Sequence, residues 1–535
     1  MRDLAGQRAA LLTSSEERAQ PAGRTAADGR PIVAGLFPDP SICRFGDLYV
    51  LAHSSFEYAP GIPISTSTDL VTWTHGGNAL DRPSQLKLQP MTHWLDGSPL
   101  AADTGGLPVG SANTGNFAPT IRAHAGRLWL AVTNVSDYFG GPLVFWAERP
   151  EGPWSDPVQF PGLPGIDPDL FWDDSGVAHL TVSSYAQGGP HVMSAPVALD
   201  SGELLGSPVP LWHGTGGQAP ESPHLFAKGG WLYLLLAEGG TERGHAVTVA
   251  RARGLEGPWE SAPGNPILTH RGLDRPVLNV GHADLVEGPD GRWAMVYLGV
   301  RARGFSGFHV NGRETFLAAV RWIDGWPVVD ESAIDVPELD HSFADDFASD
   351  VLDPRWISPG RLPDSFTRPA QPGRWMEGPV DGHDPHLLLA TRPRDLSWTA
   401  ELTMSVEGDA GLCLRVDERH VAEVMVRGRQ VESRIQVGNL ERRLPGPDAP
   451  ASGPVTVYVE VRPMAAPVLL RGPDEIEVGV IVDGHRVPLD RIDGRYLSVE
   501  VAGGWTGRVV GARVRAGKAL LERFRYAAHA TDPDG

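Results

Sequence analysis

Pro40-Ser-Ile-Cys-Arg-Phe-Gly-Asp-Leu-Tyr-Val-Leu51 reads as a short apolar strand, a turn holding glycine, and a second apolar strand. The same plan returns in Pro119-Thr-Ile-Arg-Ala-His-Ala-Gly-Arg-Leu-Trp-Leu130 and in Pro168-Asp-Leu-Phe-Trp-Asp-Asp-Ser-Gly-Val-Ala-His-Leu180. It returns again in Pro223-His-Leu-Phe-Ala-Lys-Gly-Gly-Trp-Leu-Tyr-Leu234 and Ala283-Asp-Leu-Val-Glu-Gly-Pro-Asp-Gly-Arg-Trp-Ala-Met295. Gly46, Gly126, Gly176, Gly230 and Gly291 mark the turns, where a hairpin needs a residue that accepts positive φ. The starts lie 79, 49, 55 and 60 residues apart, the last three within the roughly 45–60 residues of a four-stranded propeller blade. Asp69-Leu-Val-Thr-Trp73, Glu151-Gly-Pro-Trp154 and Glu256-Gly-Pro-Trp259 add a second punctuation near blade ends. The repeat predicts a five-bladed β-propeller over residues 31–330; a sandwich would not need the five-fold register.

Outside the repeat the pattern changes. Residues 1–30 read as a polar extension, and 331–345 as a charged, proline-containing linker. From 346 to 530 period-two alternation predicts an all-β, concanavalin-like sandwich, with strands at His386-Leu-Leu-Leu-Ala390, Trp398–Met404, His420–Val426, Val455–Val461 and Tyr496–Val501.

The whole chain of 535 residues carries 46 Lys+Arg against 66 Asp+Glu, a formal charge of −20. That balance, without a dense basic run, argues against a nucleic-acid partner. Cys43 and Cys413 form no CxxC pair, so neither a thiolate zinc site nor a disulfide scaffold is expected. Gln7 and Arg8 interrupt any apolar signal core, and no stretch is long enough to span a membrane. The expectation is a cytoplasmic protein with no membrane partner; assembly into a homo-oligomer is left open.

The first strand of each blade lines the propeller axis, so equivalent positions at its start converge. Asp39 precedes Pro40, Asp167 precedes Pro168, and Glu221 stands two residues before Pro223, whereas blade two has Ala118 and blade five Gly281-His282. Such Asp-Pro and Glu-x-Pro pairs also serve as backbone caps in turns. Three carboxylates on one axis, however, repel unless they hold a proton, bind a cation or do chemistry. Glycoside hydrolysis needs such a set: one group protonated as acid, one ionised as base or nucleophile, and a third able to tune the acid.

Pro38-Asp-Pro-Ser-Ile42, Ser54-Ser-Phe-Glu-Tyr-Ala-Pro-Gly-Ile-Pro63 and Arg82-Pro-Ser-Gln-Leu86 resemble glycoside hydrolase family 43. So do Gly165-Ile-Asp-Pro168, Glu221-Ser-Pro-His-Leu225, Glu238-Gly-Gly-Thr-Glu242, Gly281-His-Ala-Asp-Leu-Val286 and Gly312-Arg-Glu-Thr-Phe-Leu317. The likeness is to β-xylosidase and α-L-arabinofuranosidase members with a C-terminal sandwich, over about residues 31–525. It implies an inverting exo-glycosidase releasing xylosyl or arabinofuranosyl units from short oligosaccharides. By position Asp39 is implied as general base, Glu221 as general acid and Asp167 as the carboxylate that tunes and orients the acid. It also implies that Arg313 binds the terminal sugar, that Phe56 packs on it, and that Phe117 stands where many relatives have tryptophan. Trp505, in Gly503-Gly-Trp-Thr-Gly507, is implied as an aromatic reaching over the site from the sandwich, with a buried sandwich tryptophan as the alternative.

No redox cofactor is expected. The resemblance allows a structural calcium near the axis, with His282 as candidate metal ligand, although calcium prefers oxygen. Asp169 is expected to point away from Asp167 by strand alternation and not to act as a fourth acid. A retaining propeller glycosidase and a noncatalytic sugar-binding propeller are the rival readings; the three acids speak against the latter. The sequence does not rank xyloside against arabinofuranoside.

Overall fold

The computed structural model describes residues 25–86, 113–185, 191–379 and 387–529. The expected extension therefore lies outside the described residues up to position 24, as do residues 87–112. Five separate antiparallel sheets occur in sequence order, each starting at one of the five repeats. Blade one runs Ser41–Phe45, Leu48–Ala52, Gly61–Ser67, Thr74–Leu80, and blade two Thr120–His124, Arg127–Val132, Leu143–Ala147, Val158–Gln159. Blade three is built on Ile166–Trp172, Ala178–Ser184 and His191–Ala198, and blade four on Glu221–Lys228, Trp231–Glu238 and Ala246–Ala252. In both, the third strand carries two short outer strands instead of one. Blade five is Val277–Glu287, Trp293–Arg301, Glu314–Ile323, Trp326–Asp330.

A sheet with two apolar faces cannot stand alone, and here each face is buried against the next blade. Ile64 and Leu80 of blade one pack with Ile121 and Phe145 of blade two. Val144 and Phe160 meet Leu170 and Leu180, and Val192 meets Leu225 and Leu234. Leu235 and Val249 meet Met295 and Phe316, and Val296 and Leu317 return to Ile42 and Leu51. Five blades thus give five inter-blade cores, which closes the ring. The segment before blade one strengthens the closure: Ile32 and Val33 donate backbone hydrogen bonds to Thr315 O at 2.9 and 3.2 Å.

The C-terminal region is a sandwich around Trp356, Trp398, Leu412, Val457, Val478 and Phe524. Its frame is two 20-residue strands, Trp398–Asp417 and Val509–Ala528, paired along their length. Register shifts at Thr403/Met404 and Asp409/Ala410 bend them, so one half pairs with Val455–Arg462 and the other with His420–Arg427. Phe343–Asp345, at the end of the stretch read as linker, already pairs with Tyr526–Phe524 of the sandwich. Tyr496–Val501 is not a strand. Gly494–Leu497 forms a 3-10 turn capped by Asp493 on Arg495 N, and Val499–Ala502 a short helix stopped by Gly503 at φ 74. Cap and stop residues at both ends outweigh six residues of alternation. Both cysteines are buried free thiols, and no helix among the described residues is long and apolar enough to cross a membrane.

Candidate active site

Four of the five innermost strands carry the same backbone device, at the start in blades one, three and four and mid-strand in blade five. Asp39, Asp167, Ser222 and His282 all sit in the left-handed region, at φ 55, 52, 54 and 46, immediately before Pro40, Pro168, Pro223 and Ala283. In blades three, four and five the sheet register shifts around them. Non-glycine residues held there cost about 1–3 kcal/mol each and persist where the surroundings over-determine them. The device brings Asp39, Asp167 and Glu221 within electrostatic reach of one another at one end of the axis.

Their environments differ. Asp39, 3% exposed, accepts from Ser54 Oγ at 2.5 Å and from Arg313 at 2.7 and 3.3 Å, with His282 Nδ1 at 3.8 Å. It is a carboxylate in a charge-assisted pair. Glu221 has no such partner among the described residues: burial, then the charges of Asp167 and Asp39, push its pKa well above the ordinary 4.5, with Arg313 opposing. Asp167 accepts from Ser222 N at 3.0 Å, and burial, then the Asp39 charge, raise it from 3.8 to about 7. The set therefore offers a group ion-paired with an arginine, a second driven toward its protonated form, and a third carboxyl raised to about 7.

Arg313 stands at the centre of the sugar-binding residues expected from the sequence. Besides Asp39 it donates to Thr241 Oγ1 at 3.2 Å and to the carbonyl of Trp505 at 3.3 Å, and its guanidinium lies 5.4 Å from the Phe56 ring. Phe56, at φ 49, exchanges backbone hydrogen bonds with Asn116 and meets Phe117 edge-on at 5.3 Å. A Cβ at Gly115 would lie 2.0 Å from Phe56 O, so glycine there lets the two chains touch. Phe117 is half-buried, its other side against Val135, Tyr138 and Ile166. The loop bearing Trp505 does cross from the sandwich: Arg508 N donates to Val310 O at 2.9 Å. A cavity of about 390 Å³ lies between the domains, lined by Thr241, Glu242, Asn279, His309, Arg313 and Trp505.

One layer deeper is a second ring. Ser41, Thr120, Asp169, His224 and Asp284 each follow the start position by two residues, and Arg122 from blade two fills their centre. It donates to Asp169 at 2.7 Å and to Asp284 at 2.7 Å, with Ser41 Oγ at 3.2 Å and His224 Nδ1 at 2.9 Å. Blade two, which lacks an acid above, thus supplies the cation below. The expected orientation of Asp169 is corrected here. Residues i and i+2 share a face, and Asp169 Oδ2 accepts from Leu225 N of the strand whose Ser222 N serves Asp167. Asp169 stays out of the catalytic set because Arg122 holds it.

His282 is buried, and burial drives its pKa down to about 3, so it is a neutral ring beside Asp39. Its neighbours do not make a calcium cage. Electrostatic contacts run to Asp39, whose carboxylate Arg313 already holds, to the imidazoles of His224 and His245 and to Arg313, and no group of three or more His, Cys, Asp or Glu among the described residues could hold a metal ion. Ser54, Arg122, Thr241 and Glu242 are site residues that sequence reading did not single out. Ser54, Thr241 and Glu242 lay inside quoted motifs, whereas Arg122 had no signal but its place in the repeat.

Comparison with known proteins places these features. Residues 29–327 match the family model described as Glycosyl hydrolases family 43, and 344–519 the one described as Beta xylosidase C-terminal Concanavalin A-like domain. The chain is 40% identical over 364 residues to a xylosidase/arabinosidase of Butyrivibrio fibrisolvens, covering 63% of this chain and 65% of the relative. It is 32% identical over 424 residues to a non-reducing end α-L-arabinofuranosidase of Bacteroides ovatus, covering 75% of each. Among solved structures, a xylan β-1,4-xylosidase from Bacillus halodurans superposes with TM-score 0.79 at 26% identity, covering 93% of this chain and 99% of that one.

Proposed function

This chain belongs to glycosyl hydrolase family 43, and from that premise we propose that it is an inverting exo-glycosidase that removes terminal β-D-xylosyl or α-L-arabinofuranosyl residues from short oligosaccharides. The observation that carries the reading is the division of labour among three convergent acids. Asp39 is ion-paired with Arg313, while Glu221 is held protonated by burial and by its acidic neighbours. In this reading Asp39 takes a proton from water, which attacks the anomeric carbon. Glu221 gives its proton to the glycosidic oxygen as that bond breaks, and Asp167 keeps Glu221 charged with its proton between turnovers. Inversion calls for a base and acid about 6.5–9.5 Å apart, so that water fits between base and sugar. Arg313 acts on the terminal sugar's hydroxyls, Phe56 and Phe117 wall the pocket, and Trp505 caps it from the sandwich. The names of the relatives, xylosidase/arabinosidase and arabinofuranosidase, support the substrate class.

The test is release of nitrophenol from β-D-xylopyranoside and α-L-arabinofuranoside, with Asp39→Asn as control and NMR of the first sugar anomer. Turnover lost in the variant, with inverted product, supports the proposal, and the ratio of the two rates assigns the preference. A retained anomer would replace it with a nucleophilic mechanism; sugar binding without hydrolysis would leave a binding propeller.

A further inference from the structure

Arg392 and Arg394 present an arrangement that the catalytic reading does not use. Arg392 is 5% exposed, and its Nε and Nη2 are buried with no hydrogen-bond partner. Among the described residues no carboxylate pairs with it. Arg394, two residues on and half-buried, likewise has no ion pair through its guanidinium among the described residues, and both groups lie 5.0 Å from the ring of Phe37. Cation–π contact with one shared ring offsets part of the desolvation, but two guanidinium groups on one ring repel each other. Burial lowers the affinity of both for their protons, and a neighbouring guanidinium adds to it, Arg394 for Arg392 and Arg355 for Arg394. In a chain of net charge −20, a buried arginine without a carboxylate partner among the described residues, beside a half-buried second one, is the reverse of what the overall field would place there.

Both side chains line a cavity of about 490 Å³ between blade one and the sandwich, with Trp73, His75, Thr391 and Tyr526. The nearby acids are already committed. Asp353 is bonded to Arg355 at 2.9 and 3.0 Å, Asp395 to His341 at 3.0 Å and Tyr526 at 2.9 Å, and the exposed Asp340 to Ser342 N at 2.9 Å. His75 is buried and neutral, its Nε2 2.9 Å from Gly77 O. What Arg392 and Arg394 lack, among the described residues, is a carboxylate of their own. Guanidinium forks match the oxygen spacing of carboxylate and phosphate, and a charge buried without a partner gains most from one.

We propose that this interdomain cleft is a binding site for a small oxyanion, held by Arg392 and Arg394 over Phe37. The shared chemistry is a phosphate-type or carboxylate group, free or borne on an acidic sugar. The site is separate from the catalytic pocket, and its existence does not depend on which glycoside that pocket cleaves.

Calorimetric titration of the full chain at pH 7, with xylose saturating the catalytic pocket and chloride matching ionic strength, tests it. Inorganic phosphate is one arm and glucuronate the other. The expected result is one saturable site for at least one of them, weakened about tenfold or more in Arg392→Met and in Arg394→Met. Phosphate alone binding identifies a free-phosphate site, and glucuronate alone an acidic-sugar site. Arg394→Met, at the half-exposed position, keeps the test decisive if Arg392→Met does not fold. Absence of binding by both anions, or binding unchanged in the variants that fold, overturns the proposal.

Discussion

Asp167→Asn should make the protein more stable at alkaline pH while disabling it. Burial and the Asp39 charge raise the Asp167 carboxyl from 3.8 to about 7. Between those values the native state holds a proton that the unfolded chain has released, so stability falls as pH rises through the window. About three pKa units at about 1.36 kcal/mol each make this a loss of about 4 kcal/mol by pH 8. Asparagine cannot ionise, and its Oδ1 can still accept from Ser222 N, so the variant escapes the loss without a new unpaired group. The assay is thermal unfolding of both proteins from pH 4 to pH 8, beside hydrolysis of the two nitrophenyl glycosides. The two Tm curves should lie close at pH 4 and separate through pH 7, with the variant above, while turnover falls by about 10²-fold or more. Parallel curves, or a wild type that is the more stable at pH 8, would refute the claim that Asp167 is held protonated by its surroundings.

Further outcomes follow from other contacts. Glu221→Ala should nearly abolish cleavage of alkyl glycosides yet spare aryl ones, whose leaving groups need little protonation; equal loss in kcat for both would count against the acid. Arg122→Met strands Asp169 and Asp284 and should cost about 3–5 kcal/mol at neutral pH. Burial alone would raise Asp284, but Arg122 and its other partners hold it at about 2, a stabilisation present above pH 3.8 and lost on acidification; the urea-denaturation gap between variant and wild type should therefore shrink from pH 4 toward pH 2. Arg415→Met removes the sandwich guanidinium that grips Glu57 at 2.8 and 3.2 Å, and because Glu57 adjoins Phe56, KM should rise along with a fall in Tm. Trp505→Ala should raise KM severalfold with little change in Tm, which a purely structural tryptophan would reverse.

The blades were legible because every blade needs strand, glycine turn and strand, and each copy confirms the next. The three acids were legible for the same reason: the repeat fixes where a strand begins, and beginnings converge on an axis. Arg122 was not, since one arginine in a strand is ordinary until Ser41, Asp169, His224 and Asp284 arrive from four other blades. Asp169 was misplaced by applying alternation with the wrong parity across a position where φ turns positive. In the sandwich the strand read as Trp398–Met404 runs on to Asp417 through Gly408, which at φ 150 lies beside the Ala516 carbonyl, where a Cβ would sit 2.1 Å away.

The left-handed start of the innermost strands explains why one repeat yields three chemistries. In blades one and three the strained residue is itself the acid, so Asp39 and Asp167 are presented directly to the axis. In blade four the strained residue is Ser222, and the acid stands one position earlier. There Arg313 opposes the shift of Glu221, but burial and the charges of Asp167 and Asp39 outweigh it and keep its proton. It also frees the Ser222 N–H to bind Asp167, so the strand carrying the acid is tied to the carboxyl that tunes it. In blade five His282 takes the position as a neutral ring against Asp39. What differs between the blades is the side chain the strained turn aims, and in the proposed mechanism the offset of a single residue separates base from acid.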